Sequence, residues 1–158
     1  MQDYRITAQP QDLSRHQARP AQEAVDFKAV FDKSVALQLL LDPAFVIVGV
    51  SDAYLAATRT ERGRILGHHL FEIFPDNPNA GHADGVHNLR ASLLRVMQNR
   101  GPDAMPIQKY DIRLPNGRFE ERHWRPLNWP ILGEDGYVQW IVHQVEDVTA
   151  LIRSGVPT

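Results

Sequence analysis

Between Ser51 and Pro78 the chain runs through three short helical segments in succession, and none is long enough to hold its shape alone. Ser51 or Asp52 can cap the first, which carries Ala53, Tyr54, Leu55, Ala56 and Ala57. Thr60-Glu61-Arg62 opens the second, which ends at Gly67, a residue suited to the position after a helix. Leu70, Phe71, Ile73 and Phe74 form the third, and Pro75-Asp76-Asn77-Pro78-Asn79 stops it. Isolated helices shorter than about 12–15 residues are marginal in water. These turns must therefore pack on another element, and the strand-like blocks on either side are the expected partner.

Upstream, residues 37–50 (LQLLLDPAFVIVGV) hold two apolar runs separated by Asp42-Pro43, a turn-initiating pair. They predict a hairpin of strands near 37–41 and 45–50. Residues 23–35 predict a short amphipathic helix, with Val25, Phe27, Val30, Phe31 and Val35 recurring at three- and four-residue steps. Such a helix docks on its own domain or joins two copies. Residues 1–22 show no apolar period and carry Pro10 and Pro20, so they predict a flexible leader.

Downstream, residues 84–99 predict the longest helix, capped by Asp84 and ended by Arg100-Gly101-Pro102, with Val86, Leu89, Leu93, Val96 and Met97 on one face. Strand-like runs follow at 104–114, 119–131 and 137–148, separated by turns at Pro115-Asn116-Gly117 and Gly133-Glu134-Asp135-Gly136. Pro126 and Pro130 argue for an edge strand or a bulge in the middle run. Antiparallel strands with segregated helices define an α+β fold.

The 158 residues suit one domain, and a chain of that length buries enough surface to fold without staples. A net charge of −2 offers no basic excess for nucleic acid and no polybasic run for anionic lipid. The N-terminus lacks the apolar core of a signal peptide, and no run approaches the length of a membrane span. The expectation is a cytoplasmic protein with no nucleic-acid or membrane partner. There is no cysteine, which excludes disulfides, Cys-based metal sites and a Cys nucleophile.

The order of elements, together with several segments, resembles the PAS domain family over about residues 25–150. VGVSDAYLAAT resembles the segment leaving strand two for the first helix, although Asp52 stands where many members have Asn. RGRILGHHLFEIFPDNP, RLPNGRFEERHW and LGEDGYVQWIVHQVEDVT resemble later family stretches, the last ending in an Asp-x-Thr signature at Asp147-Val148-Thr149. The wording is similar to the input modules of bacterial sensor histidine kinases. The resemblance implies a five-stranded antiparallel sheet of order 2-1-5-4-3 over residues 36–150, with the helices enclosing a cavity against it. It implies that Asp147 and Thr149 pass a signal into a linker or tail over residues 151–158, toward an effector domain or partner kinase. It also implies a homodimer joined through the N-terminal helix and the outer sheet face.

The residues expected to wall the cavity from the helices are Tyr54, Phe71, Leu89 and Leu93. From the strands they are Tyr110, Trp124, Asn128 and His143. Trp124 and Asn128 share a face if no bulge intervenes at Pro126, and His143 is in phase with Ile141 and Val145. Without cysteine, neither a covalent flavin adduct nor a thioester chromophore can form; non-covalent flavin stays open, and the cofactor is unknown. Haem through His82 is a third reading. His87 points about 130° from the apolar helix face, and His68-His69 beside Gly67 suits a solvated loop. No catalytic constellation appears, because Asp111, Glu120, Glu121, Glu146 and Asp147 lack a paired general acid. The leading reading is a non-enzymatic sensory module that binds a small molecule, and the alternative is a ligand-free dimerisation module.

Overall fold

The computed structural model describes residues 24–155. The leader expected over 1–22 and residues 156–158 lie outside the described residues. The elements are α1 (Phe27–Asp32), β1 (Leu37–Leu41), β2 (Ile47–Val50), α2 (Asp52–Thr58), α3 (Arg62–Ile65), α4 (Leu70–Ile73) and α5 (Gly85–Asn99). They continue as β3 (Asp103–Ala104), β4 (Gln108–Lys109), β5 (Ile112–Arg113), β6 (Phe119–Glu120), β7 (His123–Leu132), β8 (Val138–Asp147) and α6 (Thr149–Ser154).

The main sheet is antiparallel and runs β2-β1-β8-β7-β3, with β4 also paired to β7. This follows the expected path but differs in detail. The third strand expected over 104–114 is broken into two-residue pieces, and β5 pairs only with β6 as a separate ribbon. The prolines explain much of the break. The carbonyl of Pro126 accepts from Met105 N (3.0 Å), so the donorless nitrogen of Pro126 also faces the β3–β4 side. There, residues 105–107 interrupt the pairing. Pro130, two pleats on, faces the same way beyond the end of β3. A strand with two prolines thus sits inside the sheet by presenting them to its broken edge. The β7–β8 register is continuous from Trp124 to Ile131 and shifts only between Ile131 and Leu132, so no bulge forms at Pro126.

α2 starts at its expected cap, with Ser51 Oγ accepting from Tyr54 N (3.2 Å). α5 starts after Asp84, but its first turn is capped from outside: Asp76 Oδ1 accepts from Val86 N (3.0 Å), and Asp84 makes no side-chain cap. The helix expected over 23–35 is shorter, six residues begun by Asp26 and buried nowhere along its length. Arg62 ties it down, with its guanidinium meeting Asp32, Asp52 and the carbonyl of Val50.

The core lies between the inner sheet face and the helices. Leu39, Leu41, Ile141 and Val145 meet Tyr54, Ile65, Leu70, Leu89, Leu93 and Val96 there. Among the described residues no helix is long and apolar enough to cross a membrane.

Candidate functional site

One row of residues crosses the inner sheet face. Leu39 stands opposite His143, His143 opposite Asn128, and Asn128 opposite Asp103. His143 and Asn128 are almost fully buried, and each needs a partner there. His143 Nδ1 lies 2.7 Å from Asn128 Oδ1, and Asn128 Nδ2 donates to Ser92 Oγ on α5 (2.8 Å). Ser92 donates onward to Asp103, which Arg95 holds through two further hydrogen bonds (2.7 and 2.8 Å). The Arg95 guanidinium, ahead of the Ser92 hydroxyl, keeps the Asp103 carboxyl below its usual range.

The direction of this chain fixes the histidine. Asn128 offers its oxygen, so Nδ1 of His143 carries the proton and donates. Nε2 is then a bare lone pair. Burial pushes the His143 pKa down to about 4, so the ring is neutral at physiological pH.

His143 lines a cavity of about 50 Å³ between sheet and helices. Tyr54 and Thr58 on α2, Leu70 and Phe74 at α4, and Gly85 and Leu89 on α5 form one side. Met105, Gln108, Tyr110, Asp111, Ile112, Trp124, Pro126 and Val145 close the other. The rings of Tyr54 and His143 stand edge to face with centroids 6.2 Å apart. Burial raises the pKa of both Tyr54 and Tyr110, Asp76 adding to the second, so both hydroxyls stay protonated. Tyr110 and Asp111 also line an outer groove of about 300 Å³ formed with residues 76, 77 and 80–84.

The chain matches the family model described as the PAS fold over residues 31–153. The chain belongs to the PAS fold family. No curated protein matches it. Among solved structures, it is similar to the Rhodobacter sphaeroides LOV protein, with TM-score 0.58 and 18% identity, covering 77% of this chain and 65% of that one. It thus spans just under two thirds of the Rhodobacter protein. Drosophila melanogaster Cycle PAS-B with bound ethylene glycol gives TM-score 0.56 and 13% identity over 70% of this chain and 98% of that chain. A sensory box sensor histidine kinase from Vibrio cholerae gives 0.53 and 17% over 78% and 89%.

Within this PAS domain, Tyr54, Leu89, Tyr110, Trp124 and His143 come together around the cavity. Three expected residues stand outside its lining. Phe71 turns away: its ring lies beneath the Arg90 guanidinium (4.7 Å) and beside His69, and Phe74 fills the expected place. Leu93 is wholly enclosed in the core. Asn128 sits behind His143, hydrogen-bonded to its Nδ1. His82 is exposed on the outer groove rather than in the cavity.

Pockets for drug-sized ligands run to about 300–1,000 Å³. Neither a flavin ring system nor a porphyrin fits a space of about 50 Å³ walled by Tyr54, Phe74 and Trp124. The sequence does not single out Ser92, and it offers Asp111 only as a carboxylate without a paired general acid. Ser92 was detectable as a lone hydroxyl on an apolar helix face, three residues after Leu89. The unpartnered oxygen of Asp111 is a property of the fold, not of the sequence pattern.

At the other end of β8, Asp147 Oδ1 accepts from Thr149 N and Thr149 Oγ1 accepts from His123 N, both at 2.9 Å. Arg122 reaches Asp147 Oδ2 (3.1 Å). This clasp joins β7, β8 and the start of α6.

Proposed function

We propose that this PAS domain is a sensory module whose cavity takes a small molecule against His143, and whose response leaves through the Asp147–Thr149 clasp into α6. The observation that carries the reading is the bare Nε2 of a neutral, immobilised histidine on the wall of an otherwise largely apolar cavity. Largely apolar walls with a few placed polar groups are the usual composition of a small-ligand site. His143 and Asp147 lie on one strand, β8, so a displacement of the ring has a short route to the clasp.

The bound ethylene glycol of Cycle PAS-B, a four-heavy-atom occupant of a similar fold, supports a ligand of that size here. The output is an effector kinase or partner, as in the Vibrio sensor kinase. The domain acts as a homodimer. Phe27 and Val30 on α1, with Val48, Leu127 and Ile131 on the sheet, present apolar surface that a second copy would cover.

The small cavity volume favours one second reading, a ligand-free module that only joins proteins. Hydrogen exchange separates the two. In the sensory reading, an occupant that shifts the Trp124 indole resonance also changes exchange at Thr149–Ser154. An occupied cavity with unchanged exchange in α6 defeats the transmission reading. Sedimentation equilibrium tests the dimer.

A further inference from the structure

Several arginines of this domain are held by its own carboxylates. Arg62 meets Asp32 and Asp52, Arg95 meets Asp103, Arg122 meets Glu120 and Asp147, and Arg125 meets Glu146. Arg59 and Arg113 are exposed and pair with no carboxylate among the described residues. Together with Arg64 they line one groove of about 340 Å³. Its single carboxylate is Glu61, 3.2 Å from Arg64. Both side chains of that pair are mostly exposed, so water and salt weaken it and an incoming carboxylate can take the place of Glu61. Three guanidinium groups against one carboxylate make the groove positive on a chain whose net charge is −2.

Between the charges the surface is apolar. Ile65 is buried beneath it, Ile73 and Leu114 are half-buried, and no aromatic side chain lines the groove among the described residues. Arg59 follows α2 in the left-handed backbone conformation (φ 57°), which glycine adopts without strain and arginine does not. Arg100 stands in the same conformation, and its guanidinium lies 4.7 Å over the Tyr137 ring. Arg59 makes no such contact among the described residues, so its charge has no use inside the domain to set against the strain.

The groove also lies on the outside of the cavity wall. Thr58 lines the cavity and Thr60 the groove, with their hydroxyls 2.9 Å apart. Phe74 and Ile112 line the cavity, and their chain neighbours Ile73 and Arg113 line the groove. Anything seated in the groove touches the same three segments that wall the cavity.

We propose that this groove docks an acidic segment of a partner protein, with carboxylates on Arg59, Arg64 and Arg113 and an apolar side chain between them on Ile73 and Leu114. Complementary charge selects the segment. The apolar floor selects a peptide over a single-stranded nucleic acid, whose bases stack on rings that the groove does not offer. The docking surface does not depend on the cavity being a receptor site.

The test titrates the intact chain with a capped peptide in which glutamates flank a central leucine, read by NMR at the backbone amides of Thr60, Ile73, Arg113 and Leu114. Saturable binding confined to the groove is expected, and it should weaken as salt is raised. The same peptide with lysines for glutamates should not bind, and with glycine for leucine it should bind more weakly. Arg59→Gln and Arg113→Gln should each weaken binding by about threefold. Arg125→Gln removes the same charge outside the groove and should change nothing. All three side chains are exposed, so the variants fold. A thymidine oligonucleotide should bind less tightly than the glutamate peptide. The docking site is overturned by no saturation with the glutamate peptide, by equal binding of the lysine or glycine peptide, by an equal loss in Arg125→Gln, or by tighter binding of the oligonucleotide. Each of these outcomes leaves the cavity reading as it stands.

Discussion

Nδ1 of His143 lies 2.7 Å from Oδ1 of Asn128, directly across the β7–β8 ladder, and the pair is closed by Ser92 from the helix above. The ring is therefore held neutral on the cavity wall. Burial depresses its pKa to about 4 from 6.5. Between those values the unfolded chain binds a proton that the folded chain refuses. The stability that neutral His143 allows is complete above about pH 6.5 and is lost as pH falls toward 4. Denaturant unfolding should show a loss of roughly 2 kcal/mol between pH 7.5 and pH 5. His143→Gln should flatten that slope. An equal slope in the variant would place the titration elsewhere.

Gly85 opens α5 beneath the ring of Tyr110. A Cβ there would stand 2.3 Å from a ring carbon, and the ring cannot swing away freely because its hydroxyl holds the Phe74 carbonyl. Gly85→Ala should cost about 1–3 kcal/mol through overpacking. Gly81→Ala, with open space around it, should change little. In a Tyr110→Ala background the Gly85→Ala penalty should vanish, a coupling that a double-mutant cycle measures. A penalty that persists without the ring would mean that the backbone at Gly85, not Tyr110, needs the glycine.

Most of this site was legible where parity along a strand decides it, and hidden where a tertiary neighbour does. His143 in phase with Ile141 and Val145, and Asn128 in phase with Trp124, follow from period-two alternation once the strands stay in register. The same logic failed on α4, which is a single turn: whether Phe71 or Phe74 faces inward depends on docking, not on any period. It failed again at 104–114, where alternation was partial and Pro106 opened a gap opposite Pro126. The cap of α5 was misplaced by eight residues because Asp76 reaches it through space. Asp111 could not be singled out, since its free oxygen is a property of where Asn77 and Tyr110 come to rest.

Arg62 bridges three groups: the Val50 carbonyl at 2.7 Å, Asp52 at 2.8 Å and Asp32 at 3.2 Å. It is the main polar tie between α1 and the domain, helped by Lys33, which together with Arg62 holds the Asp52 carboxyl below its usual range. Arg62→Met keeps the packing of the side-chain stem and removes the charges. Hydrogen exchange should accelerate through Phe27–Asp32, while global stability moves by no more than about 1 kcal/mol, as for partly exposed ion pairs. Moderate salt should reproduce part of the effect in the unmodified chain. Unchanged exchange in α1 would show that Phe31, packed over Gly49, holds the helix without the charges.

Thr149 closes the junction between the sheet and α6. Its hydroxyl oxygen takes the backbone N–H of His123, while the next backbone bond, Val148 N to His123 O (2.9 Å), lies one step earlier. Thr149→Val keeps the shape and leaves that N–H without its acceptor, so the loss should be about 1–2 kcal/mol. The location of the loss matters more than its size. If the clasp holds α6 on the domain, exchange should rise at His123 and across Thr149–Ser154, while Leu39, Ile141 and Val145 stay protected. Arg153 touches the Glu121 carbonyl only at 3.4 Å and is too weak to replace the clasp. The matching change at Asp147 loosens the same point from the other side. Asp147→Ala removes both the acceptor for Thr149 N and one of the two carboxylate partners of Arg122, leaving Glu120. Two single substitutions that free α6 alike, and a double that frees it little further, would mark the clasp as one unit. Additive effects would mean that each strand holds α6 separately.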